Sequence, residues 1–159
     1  MMAIDKQFKK WLIDVRRDFH MHPETLFQEV RTTEKIMARL SELGIKHHGF
    51  EDMTGVVGHI RGREQGKTIA LRADIDALPI QELNEIPYKS LTPGCMHACG
   101  HDVHTSSLLG SARILHELRD SFEGSIKLIF QPAEERLPGI SDGGQGDQGR
   151  NPMEQAARR

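Results

Sequence analysis

At 159 residues the chain is at most one ordinary domain, and with 37% hydrophobic but only 5% aromatic residues its core is aliphatic and modest. Its 21 Lys and Arg against 23 Asp and Glu leave a net charge of −2, which gives no electrostatic reason to expect nucleic acid or an anionic membrane as partner. No apolar run reaches membrane-spanning length and the N-terminus shows no signal-peptide core, so a cytoplasmic protein with reduced thiols is expected.

Phe8, Trp11, Leu12, Val15 and Phe19 recur at helical spacing and predict an amphipathic helix from about Asp5 to Met21, broken by Pro23. Thr32 or Thr33 is expected to cap a second helix carrying Ile36, Leu40 and Leu43, with Gly44 just past its end. Ile45 to Phe50 reads as a short strand. Thr54 to Arg61 and Lys67 to Asp74 read as a pair of strands joined by a hairpin loop at Gly62 to Gly66. The apolar run Thr68-Ile69-Ala70-Leu71 predicts a central strand covered on both faces. Ile80 to Gly94 looks irregular. Leu108, Ala112, Leu115 and Leu118 mark a helix from about Val103 to Arg119, and Ser125 to Gln131 a further buried strand. This order predicts an α/β fold, a mixed sheet flanked by helices.

Chemistry concentrates in three segments. Cys95-Met96-His97-Ala98-Cys99-Gly100-His101-Asp102-Val103-His104 holds both cysteines and three of the nine histidines. Thiolate and imidazole in one short stretch are donors for a transition metal. Cys99 and His101 sit two apart across a glycine, a spacing that sends two side chains to one side of an extended or turning backbone. Asp74 and Asp76 close one strand, and Glu134-Glu135 follow another through Pro132. In open α/β sheets, ligands gather beyond the carboxyl ends of the strands, so one sheet edge is expected to unite all three segments. Plainer alternatives stand beside each: a buried thiol with a loop histidine, a helix-capping Asp102, a solvated acidic turn. His97 and His104 read as supporting or surface residues, Cys95 as an ordinary loop thiol, and His20, His22, His47 and His48 as surface or packing residues.

Leu71-Arg72-Ala73-Asp74-Ile75-Asp76-Ala77-Leu78-Pro79, Met96 to Asp102 and Gln131-Pro132-Ala133-Glu134-Glu135 together resemble the M20 family of metallopeptidases, and within it the amidohydrolase branch of aminoacylase-like, hippurate and indole-acetyl-amino-acid hydrolases. His20-Met21-His22-Pro23-Glu24 is similar to that branch's N-terminal segment, and the resemblance runs from about Lys10 to Gly139. It implies Cys99, His101 and Glu135 as metal ligands, Glu134 as the general base and Asp76 as an acid that orients the site. It also implies two divalent ions per complete site, zinc, manganese or similar, and a small N-acyl amino acid or peptide as substrate. A dipeptidase, another deacylase of the family or a non-catalytic metal-binding fragment is the alternative.

Members of that family are at least twice this length and carry further histidine ligands and a dimerisation or lid domain. Residues 1–139 therefore read as the N-terminal part of a zinc-peptidase-like catalytic domain, with a half-built site, no expected activity alone, and a homodimer only for a longer form. Sheet residues such as Ile126, Leu128 and Phe130 are expected to lack cover. From Ile140 the chain turns polar and glycine-rich, so 140–159 reads as a disordered tail or as the product of a shifted reading frame. Codons for Asp142 to Arg150 read one base later permit Met-Val-Val-Lys-Glu-Ile-Lys-Asp-Gly, an amphipathic pattern with a glycine stop.

Overall fold

A computed structural model describes residues 4–135, and the expectation for 140–159 lies outside them. The element order is α1 (Lys6–Met21), α2 (Val30–Glu42), β1 (Lys46–His48), β2 (Val56–Arg61), β3 (Thr68–Asp74), α3 (His101–Glu117), a 3-10 turn (Arg119–Ser121) and β4 (Ser125–Gln131). The four strands form one mixed sheet in the order β1-β2-β4-β3. Strands β1 and β2 are antiparallel, as are β2 and β4, while β3 and β4 run parallel.

This topology corrects two expectations. Strands β2 and β3 are not a hairpin pair: β4 lies between them, with Val57 opposite Ile129 on one side and Leu71 opposite Leu128 on the other. The segment 62–66 leads from one strand to the other across the end of β4, where Gly62 N–H donates to Gly124 C=O at 2.9 Å and Gly124 N–H to Glu64 C=O at 2.9 Å. And among the described residues β3 is an edge strand. Ile69 is 62% exposed, because it lies at the edge position beyond Ile126. A continuous apolar run is compatible with an edge as well as a centre, and only pairing distinguishes them.

Alternation sorts the two sheet faces. Val56 and Ile60 of β2, Ala73 of β3, and Ile126, Leu128 and Phe130 of β4 share a core with Val15, Phe19, Ile36, Leu40, Leu108, Leu109 and Ala112 of the helices. The expected lack of cover over Ile126, Leu128 and Phe130 is thus wrong: the three are 9%, 0% and 0% exposed, since α2 and α3 pack on that face. On the opposite face Val57 and Ile129 form a small cluster with Phe50 and Met53.

Helix α1 starts as expected, with the Asp5 carboxylate accepting the Phe8 N–H at 2.7 Å. Helix α2 does not. It begins at Val30, before Thr32 and Thr33, and neither threonine caps it. Its first-turn N–H groups at Arg31 and Thr32 are taken by the Glu24 carboxylate at 3.1 and 2.8 Å. Thr33 Oγ1 instead accepts the Gly55 N–H at 3.0 Å. Gly55, at φ +105, passes so close to Pro132 that a Cβ there would lie 2.8 Å from the proline Cδ, so the chain before β2 and the turn after β4 are pressed together.

Candidate metal centre

Parallel pairing decides the site. Strands β3 and β4 end at the same sheet edge, and Ile75 N–H continues their ladder by donating to Gln131 C=O at 3.0 Å. Asp74 and Asp76 therefore leave β3 beside the segment Pro132 to Glu135 that leaves β4. Helix α3 also begins there. His101, expected to precede it, is its first residue, and Gly100 at φ +85 is its N-cap. That left-handed conformation suits glycine and turns the chain sharply between Cys99 and His101.

The excursion 75–100 is irregular but pinned. Leu78 and Met96 exchange backbone hydrogen bonds at 3.0 and 3.1 Å, Ala77 N–H donates to Glu24 C=O at 2.8 Å, and Leu91 N–H to Met21 C=O at 2.8 Å. Buried Glu82 accepts from Ser90 N–H at 2.6 Å and Asn84 Nδ2 at 3.1 Å, and lies 3.2 Å from His20 Nε2. Of the two readings the sequence left open for His20, surface or packing, the structure takes the second: it is buried, with Nδ1 2.8 Å from Asp102. Asp102 is not a helix cap either. Its buried carboxylate pairs with Arg16 Nε at 2.7 Å as well as with His20.

At the sheet edge the Cys99 thiol, a His101 ring nitrogen and a Glu135 carboxylate oxygen lie within 4.8 Å of one another. His101 Nε2 is 3.7 Å from Glu135 Oε1 and 3.8 Å from Glu134 Oε2. Buried Asp76 ties the group together. Its backbone C=O and Oδ1 face His101 Nδ1 at 3.0 and 3.1 Å, and its Oδ2 accepts the Glu135 N–H at 2.9 Å. A proton on Nδ1 facing these oxygens leaves Nε2 with a free lone pair toward Cys99 and Glu135, the arrangement a metal-ligating histidine takes.

The electrostatics agree with the geometry. Burial by itself would raise the Asp76 carboxyl, but the hydrogen bonds from His101 and from the Glu135 N–H outweigh it and hold it below the ordinary value. The same contact raises His101 above its usual 6.5 against the opposing effect of burial. The Cys99 thiol, though exposed, is pushed up to about 11, first by its hydrogen bond to Glu135, then by partial desolvation and by the charges of Glu135, Glu134 and Asp76. A thiol crowded by carboxylates is a poor acid until a cation joins them, and a divalent ion inverts that balance. The donor set fits one: ligand atoms about 2.0–2.3 Å from a zinc-sized ion stand roughly 3.3–3.8 Å apart, and the His101–Glu135 separation falls in that range.

Asp74, His101 and His104 also lie within ligand range of one another, but Arg72 already pairs with Asp74 at 2.6 Å, and His104 is exposed with its ring stacked on that of His101. Both cysteines are free, and Cys95 is a buried thiol whose pKa is raised by burial and by Glu24. A cavity of about 690 Å³ lies at the other end of the sheet, lined among others by Lys46, Arg61, His116 and Arg119. Helices α2 and α3 end there, and Arg119 donates to the His116 carbonyl at 2.9 Å, so this cation complements the C-terminus of α3.

His97 is buried, and neither ring nitrogen has a partner among the described residues. Burial lowers its pKa from 6.5 to about 4, against the opposing pull of Asp102. As pH falls below 6.5 the unfolded chain takes up this proton first, so the neutral buried ring's contribution to stability, full above 6.5, is lost as pH falls toward 4. The gap corresponds to roughly 3 kcal/mol. His97→Gln, which cannot titrate, is expected to show a shallower fall in stability between pH 6.5 and 4 than the parent chain, measured by urea denaturation at each pH. Parallel profiles would sink this account.

The sequence pattern that defines peptidase family M20/M25/M40 matches residues 70–151, which include all three candidate-site segments. The chain belongs to this family. An N-acetylcysteine deacetylase of Bacillus subtilis is 52% identical over 136 residues, covering 85% of this M20 chain and 36% of the relative. Thermostable carboxypeptidase 2 of Saccharolobus solfataricus is 46% identical, covering 95% and 37% respectively. An IAA-amino acid hydrolase of Arabidopsis thaliana is 43% identical, covering 84% and 31%. Among solved structures, the Bacillus subtilis YXEP protein, a dinuclear metal binding peptidase from the M20 family, superposes with a TM-score of 0.80 at 52% identity, covering 82% of this chain and 37% of that one. The M20 chain thus spans about a third of the length of these relatives. Its mixed α/β fold is the one the sequence predicted, and among the described residues no helix is long and apolar enough to cross a membrane.

Two buried carboxylates of the M20 chain that bond to the segments around the candidate site carry no sequence signal of that placement. Glu29 is fully buried and bonds both to Thr54 and to the turn holding Glu134, and Glu82 anchors the excursion that delivers Cys99. Each reads in sequence as an ordinary surface acid, because nothing local marks a carboxylate that folding will enclose.

Proposed function

We propose that the chain carries one wall of a metal-dependent amidohydrolase site, which cleaves the amide of an N-acyl amino acid to a carboxylate and a free amino acid. The observation that carries this reading is the convergence of Cys99, His101 and Glu135 within 4.8 Å, with Glu134 beside them. Cys99, His101 and Glu135 are the proposed ligands. A divalent ion held there, zinc or manganese and one of two in a complete site, supplies Lewis acidity to the scissile carbonyl and a more acidic water. Glu134 takes the proton of the attacking water as its oxygen bonds to the carbonyl carbon. It then gives that proton to the departing nitrogen as the C–N bond breaks. Asp76 keeps His101 in one tautomer and, through the Glu135 N–H, keeps the acidic turn in register with it.

The similarity to the deacetylase and to the IAA-amino acid hydrolase supports an N-acyl amino acid as substrate. The similarity to the carboxypeptidase favours, as a second reading, a peptide amide cut by the same machinery. The 159-residue chain by itself is expected to be inactive, since residues 4–135 offer three clustered donors where a two-ion site needs more. The test is a chimera in which residues 1–135 replace the matching part of the Bacillus subtilis deacetylase. Supplied with zinc or manganese, it is expected to release free amino acid from N-acetyl amino acids and to stop on chelation. Faster cleavage of dipeptides would favour the second reading. A folded, metal-loaded chimera that cleaves neither would refute the assignment.

A further inference from the structure

We infer that Glu29, at the start of α2, is a positioning residue for the Glu134–Glu135 turn, an inference that rests on the roles proposed above for those two carboxylates. Glu29 is 0% exposed, unusual for a carboxylate. Its Oε2 accepts the Thr54 hydroxyl at 2.6 Å, and its Oε1 accepts the Ala133 backbone N–H at 3.0 Å, 104 positions along the chain. Ala133 immediately precedes Glu134.

Backbone strain marks both ends of this tie. Among the described residues, three non-glycine residues have positive φ: Leu26 at 32°, Phe27 at 58° and Ala133 at 51°. Leu26 and Phe27 form the tight turn, closed by Gln28 N–H on Thr25 C=O at 2.9 Å, that swings Glu29 inward. Ala133 is the residue Glu29 grips. Left-handed backbone at residues with a Cβ persists where surrounding contacts over-determine it, and such sites cluster where geometry serves function. The hydrogen bond from Ala133 supplies that hold.

The acidic turn is consequently clamped at two points. Glu29 takes the Ala133 N–H from the α2 side, and Asp76 takes the Glu135 N–H from the β3 side at 2.9 Å. Glu134 lies between the two fixed amides, so its direction is set by backbone held on both flanks. Loss of the Glu29 grip frees Ala133 to return to an ordinary φ, which re-aims Glu134 and moves Glu135 away from His101 and Cys99.

The test uses the full 159-residue chain and Co²⁺ as probe, reading the thiolate-to-metal charge-transfer absorption. Glu29→Ala, which leaves the Ala133 N–H without its acceptor, is expected to weaken Co²⁺ binding by about 10- to 100-fold, the range for outer-shell partners of a metal site. Glu29→Gln is expected to stay within about threefold of the parent, because its amide oxygen can accept from Ala133 while its NH₂ donates to Thr54. A generic loss of buried charge would not separate the two variants in this way. Glu29→Asp, too short to reach Ala133, is expected to behave as the alanine variant and serves should that one not fold. Unchanged affinity in a folded Glu29→Ala or Glu29→Asp chain overturns the inference. So does an Ala133 amide that exchanges with solvent as fast as an unprotected one in the parent chain. Should the band survive Cys99→Ala, or never form, the ligand assignment has failed, and the exchange rate of the Ala133 amide still decides for or against Glu29.

Discussion

Replacing Glu134 with glutamine is expected to leave metal content unchanged and to lower turnover by about 10²- to 10⁴-fold, the usual contribution of a positioned proton-transfer group. The two neighbouring glutamates differ in setting. The Glu135 side chain is 23% exposed and its N–H is held by Asp76, whereas the Glu134 side chain is 40% exposed and stands on the solvent side. Glutamine keeps the size and the carbonyl oxygen of Glu134 but cannot take up a proton, so the substitution separates proton transfer from architecture. The measurement is turnover of an N-acetyl amino acid by the chimera containing residues 1–135, alongside its metal content by elemental analysis. Near-normal turnover would remove Glu134 from the role of base, and a loss of metal would make it a ligand instead.

Cys99→Ala and His101→Ala are each expected to weaken metal binding by more than about 100-fold, beyond the loss typical of outer-shell partners. With three clustered donors, removal of one leaves two, and two points do not define a site. The cysteine variant is the cleaner of the pair. Cys99 is exposed on a turn, and its loss disturbs little packing. His101 is buried against Asp76, so alanine there also strands a buried carboxylate and is expected to lower stability as well. Zinc or manganese titration followed by calorimetry measures both. Unchanged stoichiometry and affinity in the two variants would show that these residues are not ligands.

Several features of this fold lie openly in the sequence because they depend on neighbours along the chain. Helix α1 follows from apolar residues at i, i+3, i+4 and i+7. Strand β4 is found at the predicted bounds, Ser125–Gln131. The placement of Asp76, Cys99, His101, Glu134 and Glu135 at segment ends is legible for the same reason, since strand and helix termini are local events, whereas the parallel pairing of β3 and β4 that unites those ends is not.

What the sequence determined by itself, then, was the set of elements, the family pattern and the chemical character of the clustered donors. Tertiary structure alone decided the partners. It put β4 between β2 and β3, since strand pairing is a competition among segments far apart in sequence and apolar content does not name the winner. It gave the cap of α2 to Glu24 in place of Thr32 or Thr33, because a free helix N–H takes whichever acceptor the fold brings nearest. And it enclosed Glu29, Glu82, His20 and Asp102 around the site, because the cost of burying a charge is met by donors that only the folded chain assembles.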